Sequence, residues 1–488
     1  AEGGWIGMSA DPEFGGMGLP MAVTTAVNEM MSAACLSLQL APLMSQGQIE
    51  ALEHHASDAI KALYLPKLIS GEWTGTMNLT EPQAGSEVGA LSSNATDIVD
   101  GTFRVCSQKT YISWGYNDLT SNSCQLVLAR LPDAPNSTKG ISLFLVTKRL
   151  PDENGEAGVA NSLSVISLEH KMGLHGSPTC VMQYDEATGW LIGKEGGGMA
   201  AMFTMMNNAR VGVGGQGIGA AEGAYQHALA YAIDRKQGRT PVTGGSGTIV
   251  DHADVRRMLL TMKADIFASR AIALSCAVAI DMGTATGRAE WKSRAAFLTP
   301  IAKAFGTDVG IEVANSAIQV HGGMGVIEET GIAQYARDVR VTVIYEATHG
   351  IQAMDRVARK MLDGGAVANR IVDEIETHAE AARDRFPNMA DDVWQACESL
   401  REATDWLTSE GDLNQRFAGA VPYLRAFARI LGGHLHLTAA LADSTAGKRE
   451  KLARFYIKRL MPEYIGLLSH AQLGADDLYA ISVEEMAS

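Results

Sequence analysis

Two stretches of this 488-residue chain carry more chemistry than plain turns need. The first is TEPQAGSE at 80–87. Gly85 and Ser86 offer backbone N–H groups and a hydroxyl in a turn, which suits a phosphate or a polar ring edge. A turn alone accounts for the glycine, but not for the clustered Thr80, Ser86 and acids. The second is QVHGGMG at 319–325, followed by Arg337-Asp338 and by IYEAT at 344–348. A helix end with three glycines lets a backbone come close to a ligand. Beyond it Glu346 lies among Val341, Val343 and Ile344, where a carboxylate would have a raised pKa and could serve as a general base. On chemistry alone, a solvated loop glutamate explains Glu346 equally well.

Other patterns carry less. GVGGQGIG at 212–219 holds a literal GxGxxG through Gly212, Gly214 and Gly217. A dinucleotide-binding turn needs a strand before it. Here 199–210 has a helical pattern, so close packing of two helices is predicted instead. GKEGGG at 193–198 lacks phosphate-loop spacing and reads as a connector. His54-His55 and His434/His436 have no third ligand at a telling spacing, and HExxH is absent. Exposed helical histidines and no metal site are predicted. No GxSxG occurs, which removes serine-hydrolase chemistry.

The elements that must position these residues follow from composition and pattern. The chain is 46% hydrophobic, enough for full cores, and its length predicts about three domains. Lys+Arg number 40 against 55 Asp+Glu, and the net charge of -15 disfavours nucleic acid as a partner. Six cysteines without a CxxC pair predict reduced thiols and a cytoplasmic location. The apolar run 271–280 stops at Arg270 and Asp281, about half a membrane span. A soluble protein with no membrane association is therefore expected. The opening 1–20 contains six glycines and reads as a loop from within a domain, so the natural beginning is expected upstream. An exposed apolar patch around Trp5, Ile6, Met21 and Val23 should follow.

Four segments emerge. Residues 1–73 form a partial N-terminal helical domain and 74–195 a central antiparallel β-domain, with strands at 125–129, 141–146, 163–166 and 180–184. Asp100-Gly101, between Ile98-Val99 and 103–105, predicts a type I′ hairpin. Residues 196–362 form a helical bundle, read as four helices at 199–209, 217–235, 252–283 and 288–321. Residues 363–488 form an appended helical domain, with 13 basic against 20 acidic residues. The fold class is α+β, mostly α.

Five collinear stretches resemble the acyl-CoA dehydrogenase family: LTEPQAGSEVGA, KTYISWG, ALAYAIDRKQG, QVHGGMG and IYEAT. The runs DLTSNSCQLVLARLPDAPNSTKGISLFLV and EHKMGLHGSPTC resemble its subgroup with a C-terminal helical extension, which includes enzymes for 3-methylmercaptopropionyl-CoA. The resemblance implies FAD as cofactor, an acyl-CoA thioester as substrate and an electron-transfer flavoprotein as acceptor. An oxidase, or a nucleic-acid-binding flavoprotein of the same fold, is the alternative. By the same resemblance Glu346 is the base and Arg210 lies near the base and the CoA tail. Thr80, Gly85 and Ser86 contact the flavin, and Tyr111 and Ser113 cover its ring. Thr348 contacts the cofactor. Arg235 and Gln237, with Gln319, Gly322 and Gly323, reach the FAD of a neighbouring subunit, implying a homodimer or homotetramer. Two positions depart from the family pattern: Ala347 follows the base where a glycine is usual, and Gly350 stands where many relatives carry glutamine.

Overall fold

The computed structural model describes residues 3–98, 100–444 and 447–488. They form two compact units, one up to 212 and one from 213.

The first unit opens with α1 (Met21–His55) and α2 (Asp58–Ser70). Proline does not break either helix. Pro42 and Pro66 lie inside the helices, α1 is interrupted at Cys35, and the Ser57 hydroxyl caps α2 from the Ile60 N–H. Trp5 and Val23 are 52% and 41% exposed, and Ile6 and Met21 are half-buried.

Strands follow without intervening α-helices: β1 (Trp73–Asn78), β2 (Asn94–Asp97), β3 (Phe103–Ser113), β4 (Asn122–Arg130), β5 (Ile141–Thr147), β6 (Arg149–Pro151), β7 (Ala157–Ala160), β8 (Leu163–Leu168) and β9 (Thr179–Ile192). β2–β3, β3–β9, β9–β5 and β5–β4 pair antiparallel, and a parallel Asn94–Arg130 bridge closes the ring back to β4. Strand alternation turns Phe103, Val105, Val127, Phe144, Met182 and Tyr184 into one apolar interior. β1 departs from the expected antiparallel order and runs parallel to β4. The 43 residues between them supply the long crossover that a parallel pair requires. The hairpin forms with a different turn. Ile98 N–H bonds to the Thr102 carbonyl, and among the described residues of the loop Gly101 is left-handed at φ +81° while Asp100 is not. That is the closure of a three-residue loop rather than type I′. Val99, and Ala1 of the opening loop, lie outside the described residues.

α3 (Gly198–Asp234) begins in the first unit and continues in the second, so the helices expected at 199–209 and 217–235 are one. α4 (Ala253–Thr286) and α5 (Ala289–His321) pack along each other. The glycine run lies inside α3, and its Gly214 and Gly217 set that helix against α5. A Cβ at Gly217 would come 2.4 Å from the Gly306 carbonyl oxygen, and one at Gly214 2.8 Å from that of Ala302.

The short α6 (Ile332–Val339) and α7 (His349–Asp355) follow. Then come α8 (Ala366–Ala382), α9 (Pro387–Ser409), α10 (Leu413–Ala442), α11 (Lys448–Arg459) and α12 (Glu463–Ala471). α10 packs against α4 and α5. By length and apolar content α4 would suffice to cross a membrane. Its packing, and the buried ion pair between Asp265 and Arg429 of α10, account for that character as core. His434 and His436, expected to be exposed, are 3% and 2% accessible. Burial depresses both to about 4. His436 donates from Nε2 to the Ala264 carbonyl at 3.1 Å.

Candidate active site

In the first unit the site begins with a buried amine. The inward alternation of β3 carries Lys109 into the barrel interior. An unpaired ammonium there would be costly. Glu81 answers it, with Lys109 Nζ 2.8 Å from Glu81 Oε1. The same carboxylate accepts the Ser92 N–H at 2.7 Å, the Ser92 hydroxyl at 2.8 Å, the Ser93 N–H at 3.2 Å and the Ser93 hydroxyl. Burial alone would raise Glu81. Lys109 and the serine donors outweigh it and hold the carboxyl down to about 2. Burial pulls Lys109 to about 8 against the pull of Glu81, so the pair is ionised at neutral pH. Lys109 did not stand out in the sequence as functional, and Glu81 counted there only as one of the acids clustered in 80–87.

This pair fastens the 80–87 loop to the barrel rim. The Thr80 carbonyl accepts the Thr110 N–H at 2.9 Å. Gly85 and Ser86 are exposed, and a Cβ on Gly85 would meet nothing within 4 Å. Beside Thr110 the β3–β9 register slips between Lys109 and Ile112. Such a bulge re-aims side chains. Tyr111 sits there at φ +60° and is 67% exposed. Trp114, at φ +55°, is anchored by its indole N–H to the Ser37 carbonyl at 3.2 Å. The Ser113 carbonyl accepts the Thr76 hydroxyl at 2.8 Å. Thr80, Gly85, Ser86, Tyr111 and Ser113 thus share one rim, with an open glycine face and an outward aromatic ring. That arrangement fits the edge and face of a flavin ring. Arg210 lies elsewhere in this unit, buried on α3 with its Nη1 3.3 Å from Asn207 Oδ1.

In the second unit Arg235 and Gln237 follow α3 in an exposed loop. The Gln237 carbonyl accepts from His252 Nε2 at 2.8 Å. α5 ends at His321, which stacks on Tyr231 with ring centroids 4.3 Å apart. This stacking brings the Arg235 loop and the Gln319–Gly323 turn to neighbouring positions. Gly322 has φ +58° and ψ -137°, a conformation essentially restricted to glycine. No atom lies within 4 Å of a Cβ built on Gly322 or Gly323.

Glu346 and Ala347 are consecutive left-handed residues at φ +55° and +72°. Each costs roughly 1–3 kcal/mol and persists only where its surroundings impose it. Here two buried side chains grip the carbonyls. Gln352 Nε2 donates to the Glu346 oxygen, and Lys303 Nζ to the Ala347 oxygen, each at 2.9 Å. The Tyr345 hydroxyl donates to Gln216. Burial first, then the Glu346 charge, pushes that phenol far up. Thr348 caps α7 by accepting the Ile351 N–H. A cavity of about 530 Å³ opens beside the turn, lined by Arg340, Val343, Ile344, Thr348, His349 and Gly350 among others. The Glu328 carboxylate is bound by both Nη atoms of Arg337 at 2.9 Å. Glu374, His378 and His434 also converge, but Arg294 supplies positive charge there, binding Glu374 at 2.6 and 3.2 Å. Sequence reasoning overlooked Lys303 and Gln352, because a residue that holds a carbonyl leaves no pattern in the chain.

Four family profiles together match most of the chain. Acyl-CoA dehydrogenase N-terminal, middle and C-terminal domains match 1–72, 76–187 and 196–362, and an acetyl-CoA dehydrogenase C-terminal-like domain matches 371–482. The chain is 45% identical over 458 residues to the 3-methylmercaptopropionyl-CoA dehydrogenase of Ruegeria pomeroyi, covering 91% of this chain and 78% of that one. It is 34% identical to a butyryl-CoA dehydrogenase of Syntrophomonas wolfei, covering 96% and 82%. Its fold is similar to that of a Bacillus anthracis acyl-CoA dehydrogenase complexed with FAD, with a TM-score of 0.81 at 19% identity over 96% and 81% of the two chains. By profile order, identity and fold the chain belongs to the acyl-CoA dehydrogenase family of FAD-dependent oxidoreductases.

Proposed function

We propose that this chain dehydrogenates the α,β-bond of a short acyl-CoA thioester of the 3-methylmercaptopropionyl type, with electrons passing to an electron-transfer flavoprotein. The 45% identity to the Ruegeria pomeroyi enzyme supports the substrate class. The observation that carries the catalytic reading is the left-handed pair Glu346–Ala347, strained and gripped by Lys303 and Gln352. Glu346 takes the proton from the thioester α-carbon, and its own N–H donates to the thioester carbonyl as charge builds there. A bound FAD would supply the acceptor for the hydride leaving the β-carbon. Thr80, Gly85 and Ser86 hold the flavin edge, Tyr111 and Ser113 cover the ring, and Thr348 contacts the cofactor. Arg210 serves the CoA tail. Arg235, Gln237, Gln319, Gly322 and Gly323 reach the cofactor of a second copy, so that the active assembly is a homodimer or homotetramer. The four segments 1–73, 74–195, 196–362 and 363–488 divide this work.

Glu346→Gln tests the reading. It keeps size and most hydrogen bonds and removes the base. Anaerobic stopped-flow bleaching should slow by about 10²–10⁴-fold, with FAD content and acyl-CoA affinity near the parent values. Bleaching at the parent rate would exclude Glu346 as the base.

A further inference from the structure

Past residue 362 the chain returns to the Glu346 turn through one helix, α10, at three levels. Near its start Arg416 Nη2 donates to the Val357 carbonyl. Val357 belongs to a π-helical stretch, Arg356–Lys360, that directly continues α7. Such wider turns within helices concentrate at functional sites. One level on, Tyr423 and Phe427 of α10 join Phe297 of α5 around the Arg356 guanidinium, at 5.0, 4.4 and 4.3 Å. Arg356 is fully buried, and none of its three side-chain nitrogens has a hydrogen-bond partner among the described residues. The three ring faces are what hold this cation. Arg356 lies one helical turn beyond Gln352, whose amide grips the Glu346 carbonyl.

The third level reaches the other end of α7. Arg425 Nη1 lies 3.5 Å from Asp308 Oδ2. Asp308 Oδ1 lies 3.2 Å from His349 Nδ1, and His349 Nε2 lies 2.9 Å from Thr307 Oγ1. His349 is the first residue of α7, three positions after Glu346. α10 itself is fixed. Arg425 also binds Glu312 and Glu463 at 2.7 Å each, and Arg429 binds the buried Asp265.

We infer that α10 is a clamp that positions the catalytic turn, with Arg425, Arg356, Tyr423 and Phe427 as its positioning residues. This rests on the reading of Glu346 as the base. α7 is held at its start through Arg425, Asp308 and His349, and at its end through the aromatic cage and Arg416. Between those points Gln352 hands the position to the Glu346 carbonyl. A turn whose backbone conformation is unfavourable relaxes when its supports yield, and small displacements of a catalytic group have large rate effects. The segment after 362 therefore contributes to the rate as well as to stability.

The test uses the full FAD-loaded chain with Arg425→Met, Arg425→Lys, Phe427→Leu and, as a control, Arg401→Ala. Arg401 of α9 pairs with Asp373 and Glu376 of α8 and loosens the same segment without touching α7. Three quantities are read: the flavin-reduction rate, the thermal midpoint, and amide hydrogen exchange of a peptide spanning 345–352. Arg425→Met and Phe427→Leu should slow reduction by about tenfold or more and speed exchange in that peptide, with acyl-CoA affinity within about twofold. Arg425→Lys should recover part of the rate, because it restores the charge without the forked geometry. Arg401→Ala should lower the midpoint alone. Unchanged exchange in Arg425→Met and Phe427→Leu overturns the clamp and leaves the base standing. A control as slow as Arg425→Met at equal midpoint loss also overturns the clamp. An unimpaired Glu346→Gln enzyme overturns the base instead, and the clamp as a catalytic device with it.

Discussion

Glu81 and Glu346, one from each chemistry-bearing stretch, are held in opposite ways. Glu81 is anchored by its carboxylate, which gathers Lys109 and the Ser92 and Ser93 donors. Around it no non-glycine residue of the 80–87 loop has a positive φ. At Glu346 the grip falls on the carbonyls, through Gln352 and Lys303, and the backbone is left-handed at two successive residues. A glutamate held by its head serves as scaffold. One held by its main chain can present its head to a reaction. The residue type is the same, and what holds it decides its work.

This contrast can be broken first at Lys109. Lys109→Met leaves Glu81 buried with its charge uncompensated, which should cost about 3–5 kcal/mol. The first unit's unfolding midpoint and FAD occupancy should fall together, while turnover per bound flavin stays near the parent. The double variant Lys109→Met/Glu81→Leu should regain most of the loss, because removing both charges removes the penalty. A single-variant cost below about 1 kcal/mol would mean that the pair anchors nothing.

Acid should reveal the same anchor more gently. The folded-state pKa of Glu81 is depressed to about 2, so its contribution is complete above the ordinary glutamate range. It is lost as pH falls from there toward 2, because only the ionised form keeps Lys109 and the serine donors. The amount is on the order of 3 kcal/mol. Urea titrations at pH 5, 4 and 3 should show stability falling in the parent and a shallower fall in Glu81→Gln. Equal slopes would remove Glu81 from the account of acid lability.

The smallest effect sharpens the other side. Ala347→Gly gives the left-handed position the residue that adopts it without strain. Relief of that strain is partly offset by the glycine's freedom in the unfolded chain, leaving a gain of about 1 kcal/mol or less. Flavin reduction should stay within about twofold, since Lys303 and Gln352 still hold both carbonyls. A destabilised Ala347→Gly enzyme would show that the methyl group itself packs.

Much of this was legible in the chain. Strand alternation and turn residues marked the β-domain, and five collinear stretches pointed to the family. What stayed hidden was long-range. Glu81 and Lys109 are 28 positions apart, and only the closed barrel makes them partners. His434 and His436 read as surface histidines because an amphipathic pattern does not say which other helices, here α4 and α8, cover it. The parallel β1–β4 pairing came from the length of the crossover, which strand patterns do not encode. The left-handed turn was foreshadowed only by a position, Ala347, at which the resemblance led one to expect glycine.

The glycine contact between α3 and α5 sets a mechanical tolerance. Where two shafts touch backbone to backbone, their spacing is fixed by peptide planes, with no side chain to absorb error. A methyl group added at Gly214 would reach within 3.4 Å of the Lys303 Cα and within 2.8 Å of the Ala302 carbonyl oxygen. It would act as a shim beneath the residue that grips the Ala347 carbonyl. Two glycines of the literal nucleotide-binding pattern, Gly214 and Gly217, are thus a spacer gauge, and the part they keep in alignment lies more than a hundred residues further along the chain.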